Sequence, residues 1–188
     1  AVTNATNNTF CEGDNVILTA SINPALAVNT YSFKLNNVNQ QTTASNVYST
    51  TLLPNTANFE IIANLANGCS FTSTITLIKN EIISAGTITG TQIICSGGTP
   101  QPITSLSTAT TSIASATLTY SWESSTDGVS FAPTGSNGLN YSPGQLIKTT
   151  FFRRVATSGL NNKDCSKETS PPIEIFVTNN LSGGNVEP

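Results

Sequence analysis

Apolar and polar residues alternate with a period of two along much of this chain. Asn15–Ser21 reads NVILTAS and Tyr31–Leu35 reads YSFKL, and Asn58–Asn64 and Ser70–Ile78 repeat the alternation on either side of Ala66-Asn67-Gly68. A period of two is that of a strand with one buried face, and a short Gly-containing break between two such runs signals a hairpin. Leu118–Glu123 sets Leu118, Tyr120 and Trp122 on one face, and Asp127-Gly128 then offers the dipeptide of a type I′ turn. Phe151–Thr157 and Ile173–Val177 are expected to be the closing pair, with Pro171-Pro172 at the mouth of the last strand, where a missing N–H costs least. No stretch sustains a 3.6-residue period. Short strands with turn signals about every ten residues predict an all-β fold, two tandem immunoglobulin-like β-sandwich domains.

Laid on itself, the chain shows a repeat. Phe10-Cys11-Glu12-Gly13 matches Ile94-Cys95-Ser96-Gly97, and Thr30-Tyr31-Ser32-Phe33 matches Thr119-Tyr120-Ser121-Trp122. Tyr48 through Ala63 runs without a gap against Tyr141 through Ala156, Cys69 matches Cys165, and Ile82–Gly86 resembles Asn180–Gly184. The separation between matched positions only widens, and it widens in Gly-, Ser-, Asn- and Pro-rich stretches. Two copies of one fold diverge in this way, because loops tolerate insertion and strands do not. The expected organisation is one repeat over 1–84, a second over 85–181, and the start of a third, truncated one over 182–188. With no Met and no leader-like run at its beginning, the chain is expected to be an internal piece of a longer secreted protein.

Composition narrows the function. Charged residues make up 9% of the chain, far below the roughly 25% of ordinary domains. Ser, Thr and Asn fill about two-fifths of it, a mixture suited to half-exposed pleats and turns. A net charge of −3, with seven basic residues scattered apart from Arg153-Arg154, offers no track for a phosphate backbone, so no nucleic-acid partner is expected. No apolar run approaches the roughly 20 residues of a membrane-spanning helix. The chain contains no His, the usual general base for Ser or Cys nucleophiles, and its ten carboxylates are scattered. No catalytic residue, metal site or cofactor is expected. Glu12, Asp14 and Asp164 are the acids that could hold calcium, but they form no clustered array of the six to eight oxygens that calcium takes. Arg153-Arg154 could meet an acidic ligand; a cross-strand partner or a solvated face is the plainer expectation. Asn-x-Ser/Thr occurs at Asn4, Asn7, Asn140 and Asn180, as chance allows in such a composition.

Two groups of residues stand out. Phe33, Trp122, Tyr48 and Tyr141 occupy matched positions in the repeats and are expected to fill the two cores, Trp122 and its counterpart Phe33 as central plugs. Cys11, Cys69, Cys95 and Cys165 lack the spacing of a zinc or thioredoxin-type motif and fit disulfides in an oxidising compartment. The repeat suggests Cys11–Cys69 and Cys95–Cys165, one staple per unit. Strand geometry pulls the other way. A seven-residue strand holds its ends about 23 Å apart, whereas a disulfide needs Cα atoms within about 7 Å. The alternative is Cys11–Cys165, with Cys69 and Cys95 left to pair with neighbouring copies.

The segments GTITGTQIICSGGTP, TYSWESSTDGVSF and YSPGQLIKTTFFRRVATS, followed by a Cys before the final strand, resemble the repeats of giant cell-surface gliding adhesins of the Bacteroidetes (SprB-type). CEGDNVILTAS and NGCSFTSTITL are similar to the immunoglobulin-like modules of the same secreted proteins. The resemblance spans nearly the whole chain. It implies export, an outer-membrane-associated parent at the cell surface, and a role in adhesion or gliding, with neighbouring repeats, polysaccharide or a solid surface as partners. It assigns no catalytic or ligand-binding residue. A carbohydrate- or surface-binding module and an accessory module of a secreted enzyme are the alternatives.

Overall fold

The computed structural model describes residues 2–23 and 26–179. Ser182–Val186, the expected opening of a third repeat, and Asn180 lie outside the described residues. The chain divides into two compact units. Unit 1 takes the described residues up to Glu81 together with Ser112–Ala116 and Leu160–Ser166; unit 2 takes Ile82–Thr111, Thr117–Gly159 and residues 167–179. Ser112–Ala116 and Leu160–Ser166 thus belong by sequence to the second repeat and by packing to unit 1.

Unit 1 is built from β1 (Val2–Thr3), β2 (Thr9–Phe10), β3 (Val16–Thr19), β4 (Val28–Leu35), β5 (Val38–Thr43), β6 (Val47–Thr50), β7 (Thr56–Leu65) and β8 (Ser70–Lys79). They form a three-stranded sheet, β1-β3-β6, and a five-stranded sheet, β2-β8-β7-β4-β5. All neighbours are antiparallel except β2, which runs parallel to β8. The period of two in β7 turns Ala57, Phe59, Ile61, Ala63 and Leu65 inward. Phe59, Ile61 and Ala57 meet Val16 and Leu18 of β3, Phe33 of β4 and Leu77 of β8 in one apolar cluster. Burying a side chain of this size contributes about 1.5–3 kcal/mol, so these few strands supply most of the unit's cohesion.

Unit 2 is assembled from β9 (Ile82–Ser84), β10 (Thr87–Thr89), β11 (Gln92–Cys95), β12 (Thr104–Ser107), β13 (Thr110–Thr111), β14 (Thr117–Ser125), β15 (Ala132–Asn137), nearly all of β16 (Thr150–Leu160), the last three residues of β17 (Lys163–Thr169) and β18 (Ile173–Thr178). The large sheet runs β11-β18-β16-β14-β15, and β17 also pairs with β16; β10-β12 and β9-β13 are two-stranded. β11 is parallel to β18, repeating the β2–β8 arrangement. Ile88, Ile103, Trp122, Phe152 and Ile175 form one core cluster and Ile82, Ala109 and Ala156 another. Two parts of one immunoglobulin-like plan therefore recur: a large sheet closed by a parallel first strand, and a smaller partner layer.

Two local expectations are corrected. Asp127-Gly128 is not a two-residue hairpin turn, because β14 ends at Ser125 and β15 begins at Ala132. The Asp127 carboxylate instead accepts hydrogen bonds from the Val129 and Ser130 amides and the Ser125 hydroxyl, closing a longer loop on a side chain. The pairing of β16 with β18 covers only Thr150–Phe152 against Ile173–Ile175. The rest of the long strand turns into β17, whose sequence KDCSKET buries no residue and carries no alternation that could announce it.

Candidate functional site: cysteine corners, a buried arginine and an open groove

Cys11 is bonded to Cys165 with Cα atoms 4.8 Å apart, and Cys69 and Cys95 are exposed free thiols. The favoured pairing of Cys11 with Cys69 and Cys95 with Cys165 is therefore overturned. Strand length explains why. Phe10 registers with Lys79, the last residue of β8, while Cys69 immediately precedes Ser70, its first. Ten residues of strand hold those points about 33 Å apart. Cys165 comes from Leu160–Ser166, which belongs to unit 1. Beside the bond, the Lys163 ammonium pairs with Asp14, and the Asn161 amide donates to the Thr6 hydroxyl at 3.2 Å.

The other acids considered for calcium are engaged too. Asp14 also accepts the Cys11 amide at 2.7 Å, capping the turn after β2. Glu12 pairs with Lys79 at 2.9 Å. That hydrogen bond, ahead of the opposing effect of burial, raises the Lys79 ammonium above its ordinary value. Asp164 is also engaged by neighbours. Among the described residues no three His, Cys, Asp or Glu side chains converge. Asp127 is held well below the usual carboxylate range, first by the Ser125 hydroxyl and then by the Ser130 and Val129 amides. Three of the four Asn-x-Ser/Thr asparagines lie among described residues, and two use their side-chain amides structurally: Asn4 bonds Asn15 and Ile17, and Asn140 accepts from Ser105.

The aromatic residues pack as two equivalent stacks. Phe33 is fully buried and stacks on Tyr48 at 5.6 Å, which tilts against Phe59 at 6.0 Å. Trp122, also fully buried, stacks on Tyr141 at 5.4 Å, and Tyr141 meets Phe152 at 5.5 Å. The larger indole carries an N–H, which donates to the Gly138 carbonyl at 3.0 Å.

The adjacent arginines separate completely. Arg153 lies across from Glu123 in register, bonds it at 2.7 Å and covers the Phe131 ring at 4.1 Å. Arg154 faces the other way and is fully buried, which corrects the expectation of a solvated face. One terminal nitrogen donates to the Ser105 hydroxyl at 2.7 Å and the Leu139 carbonyl at 3.2 Å. The second donates to the Ser107 carbonyl at 2.8 Å and the Ala85 carbonyl at 3.2 Å. The Tyr120 ring lies 4.6 Å from the guanidinium carbon. Burial pushes this group below its ordinary value, yet an arginine keeps its proton, so unit 2 contains a caged cation. Gly86 fits the cage: its φ is +70°, and a Cβ there would stand 2.3 Å from the Ser107 carbonyl.

Sequence reasoning missed this cage, although its signal lay in the ungapped match of Tyr48–Ala63 with Tyr141–Ala156. That match sets Arg154 opposite Ile61 and Arg153 opposite Glu60. Glu60 pairs with Lys34 at 2.8 Å, and Lys34 in turn matches Glu123. The same cross-strand ion pair therefore occurs in both repeats with its charges reversed.

Unit 1 also has an open groove of about 360 Å³, lined in part by Leu26, Ile61, Ala63, Phe71 and Thr72. Phe71 is 51% exposed and Leu26 45% exposed. The groove carries no charged residue.

Taken together, fold and residues define a tandem immunoglobulin-like β-sandwich protein. Residues 84–179 match the family described as "Domain of unknown function (DUF8696)", and the chain belongs to that family. No curated protein matches. Among solved structures, the three N-terminal domains of the bacteriophage RB49 Highly Immunogenic Outer Capsid protein are similar at 10% identity and a TM-score of 0.47, over 90% of this chain and 66% of that one. Fibronectin(III)-like modules of Clostridium thermocellum CbhA align at 12% identity and 0.39, over 99% and 98%. A Ca2+-stabilized adhesin by which an Antarctic bacterium binds ice aligns at 14% and 0.41, over 93% and 46%. With TM-scores below 0.5, what those proteins bind does not transfer to this chain.

Proposed function

We propose that this chain is a non-enzymatic repeat segment of a bacterial cell-surface adhesin, spacing and stiffening a longer extracellular protein that serves attachment and gliding. The observation that carries this reading is the duplication itself. Two tandem copies keep the same aromatic stack and the same cross-strand ion pair, the latter with its charges exchanged. What the copies share is thus what holds a sandwich together. Repeat arrays gain reach and stability unit by unit. The resemblance to gliding-adhesin repeats and the disulfide both favour an oxidising, extracellular setting. Antibodies against the segment should label intact, unpermeabilised cells; labelling only after permeabilisation would sink the surface reading.

The groove beside Phe71 favours a second reading, a carbohydrate- or surface-binding module. Bead attachment to polysaccharide and glass separates the two. As a spacer, the segment leaves coated beads no stickier than an inert protein does. Attachment that disappears in Phe71→Ala would replace the spacer by the binding module.

A further inference from the structure

Each repeat carries two cysteines at equivalent places, and the one bond present joins one of each kind. The first kind ends the strand that runs parallel to the last strand. Cys11 follows Phe10 of β2, and Cys95 closes β11 opposite Thr178 of β18. Both open the same turn: the Asp14 amide donates to the Cys11 carbonyl at 3.1 Å and the Gly98 amide to the Cys95 carbonyl at 2.9 Å. Gly13 and Gly97 follow at φ of +74° and +80°. The second kind lies just past a hairpin turn, Cys69 immediately before β8 and Cys165 as the third residue of β17. Cys11, bonded, is 2% exposed, whereas Cys95 at the matched position is exposed and free.

We infer that Cys69 and Cys95 are the two open halves of this same bond, so that a strand-end cysteine of one repeat is joined to the hairpin cysteine of another repeat of the same kind. The flanking charges agree. The bonded corner pairs Asp14, three residues after its cysteine, with Lys163, two residues before its own. The corresponding residues at the open halves are Gly98 and Asn67, neutral on both sides. Cys95 therefore fits a hairpin like that of Cys69 better than one that brings an unpaired lysine. This inference rests on the repeat and the observed bond, and it holds whether the array spaces or binds.

The bond forms by exchange. A thiolate attacks a small-molecule disulfide such as glutathione disulfide and expels one glutathione thiol. The partner cysteine then attacks the mixed disulfide, releasing the second glutathione as the protein bond closes. Two electrons and two protons pass from the cysteine pair to glutathione. Between copies of this chain the contact is heterologous, so each added copy brings one further open thiol and the copies join head to tail.

The test uses the intact chain with its Cys11–Cys165 bond formed, incubated in a glutathione redox buffer. Non-reducing electrophoresis should show a ladder, and peptide mapping should give intermolecular Cys69–Cys95 peptides. Cys69→Ser alone and Cys95→Ser alone should each stay monomeric, and their equimolar mixture should stop at a dimer. Both substitutions fall at exposed positions, and circular dichroism checks that each variant is folded. Dimers of either single variant alone, symmetric Cys69–Cys69 or Cys95–Cys95 peptides, a Cys69–Cys95 bond within one monomer, or thiols left free throughout would each overturn the inference. A ladder without any attachment phenotype would leave it standing while removing the binding reading.

Discussion

Ile61 and Arg154 occupy the same position in two copies of one fold and solve it by different physics. In unit 1 the position is an ordinary core residue, 3% exposed, packed with Phe59, Leu18 and Leu77. In unit 2 it is a guanidinium with no carboxylate paired to it among the described residues, neutralised in part by three carbonyl dipoles, a hydroxyl and the Tyr120 face. Taking a charge out of water costs several kcal/mol even after relaxation, and the cage offsets that cost through its donors' partners. The return is organisation. The carbonyls of Ala85, Ser107 and Leu139 come from three separate segments that carry few apolar side chains of their own. Unit 1 holds its partner layer by hydrophobic contact through Val16 and Leu18; unit 2 holds part of its layer by a tether.

The largest perturbation strikes what the units share. Phe33→Ala and Trp122→Ala should each cost about 3–5 kcal/mol in their own unit, the range for deleting a buried aromatic. Trp122 is the single tryptophan, so its fluorescence reports unit 2 while circular dichroism reports both. Denaturant melts of Phe33→Ala should show the circular-dichroism transition of unit 1 moved and the Trp122 fluorescence transition in place, while Trp122→Ala, which removes that probe, is followed by circular dichroism; a fluorescence transition moved by Phe33→Ala would mean the repeats melt as one.

Arg154→Ile, which installs the residue of unit 1, should come next at about 2–4 kcal/mol. It leaves buried carbonyls without donors, each costing about 1–3 kcal/mol less what water recovers. Amide exchange at Gly86 and Ser107 should accelerate. A neutral substitution would mean that the apolar and tethered solutions are interchangeable.

The smallest effect concerns the reversed ion pairs, all half-buried. Glu60→Lys sets like charges opposite each other and should cost about 1 kcal/mol, and adding Lys34→Glu should recover most of it, because cross-strand pairs of this exposure contribute only about 0.2–1 kcal/mol. A double variant no better than the single would deny that charge complementarity is what the two repeats share.

Much of this molecule is legible in its sequence where burial imposes a period. β7 and β14 announce themselves, and Phe33, Tyr48, Trp122 and Tyr141 follow from matched positions on inward faces. Strands that bury nothing are silent. β5 reads VNQQTT and β17 reads KDCSKET, and neither contains a buried residue. Their pairing is dictated by backbone bonds to a neighbour, which leave no pattern in side chains. The disulfide was ambiguous for a related reason. Matching cysteines shows which positions are equivalent, but only the length of β8 reveals that equivalent partners within one repeat are out of reach. Arg154 hid because a charge in a strand normally faces water, and its partners are main-chain carbonyls that any residue supplies.

The parallel strand that closes each large sheet bears on how a repeat carries load. β2 enters near the beginning of its repeat and β8 leaves near the end, and the two point the same way. Tension between those ends drags one strand along the other, so their hydrogen bonds are stretched together in shear and cannot open one after another as an antiparallel hairpin would. Rupture then depends on how many bonds share the force, and forced unfolding is a matter of rate. Repeat one has two registered residue pairs in this clamp, Thr9↔Ile78 and Phe10↔Lys79, and repeat two has four, from Gln92↔Ile175 to Cys95↔Thr178. Stretched by force spectroscopy with the Cys11–Cys165 bond reduced, so that tension runs through both clamps, the second repeat should yield later, a graded pair of links along one tether.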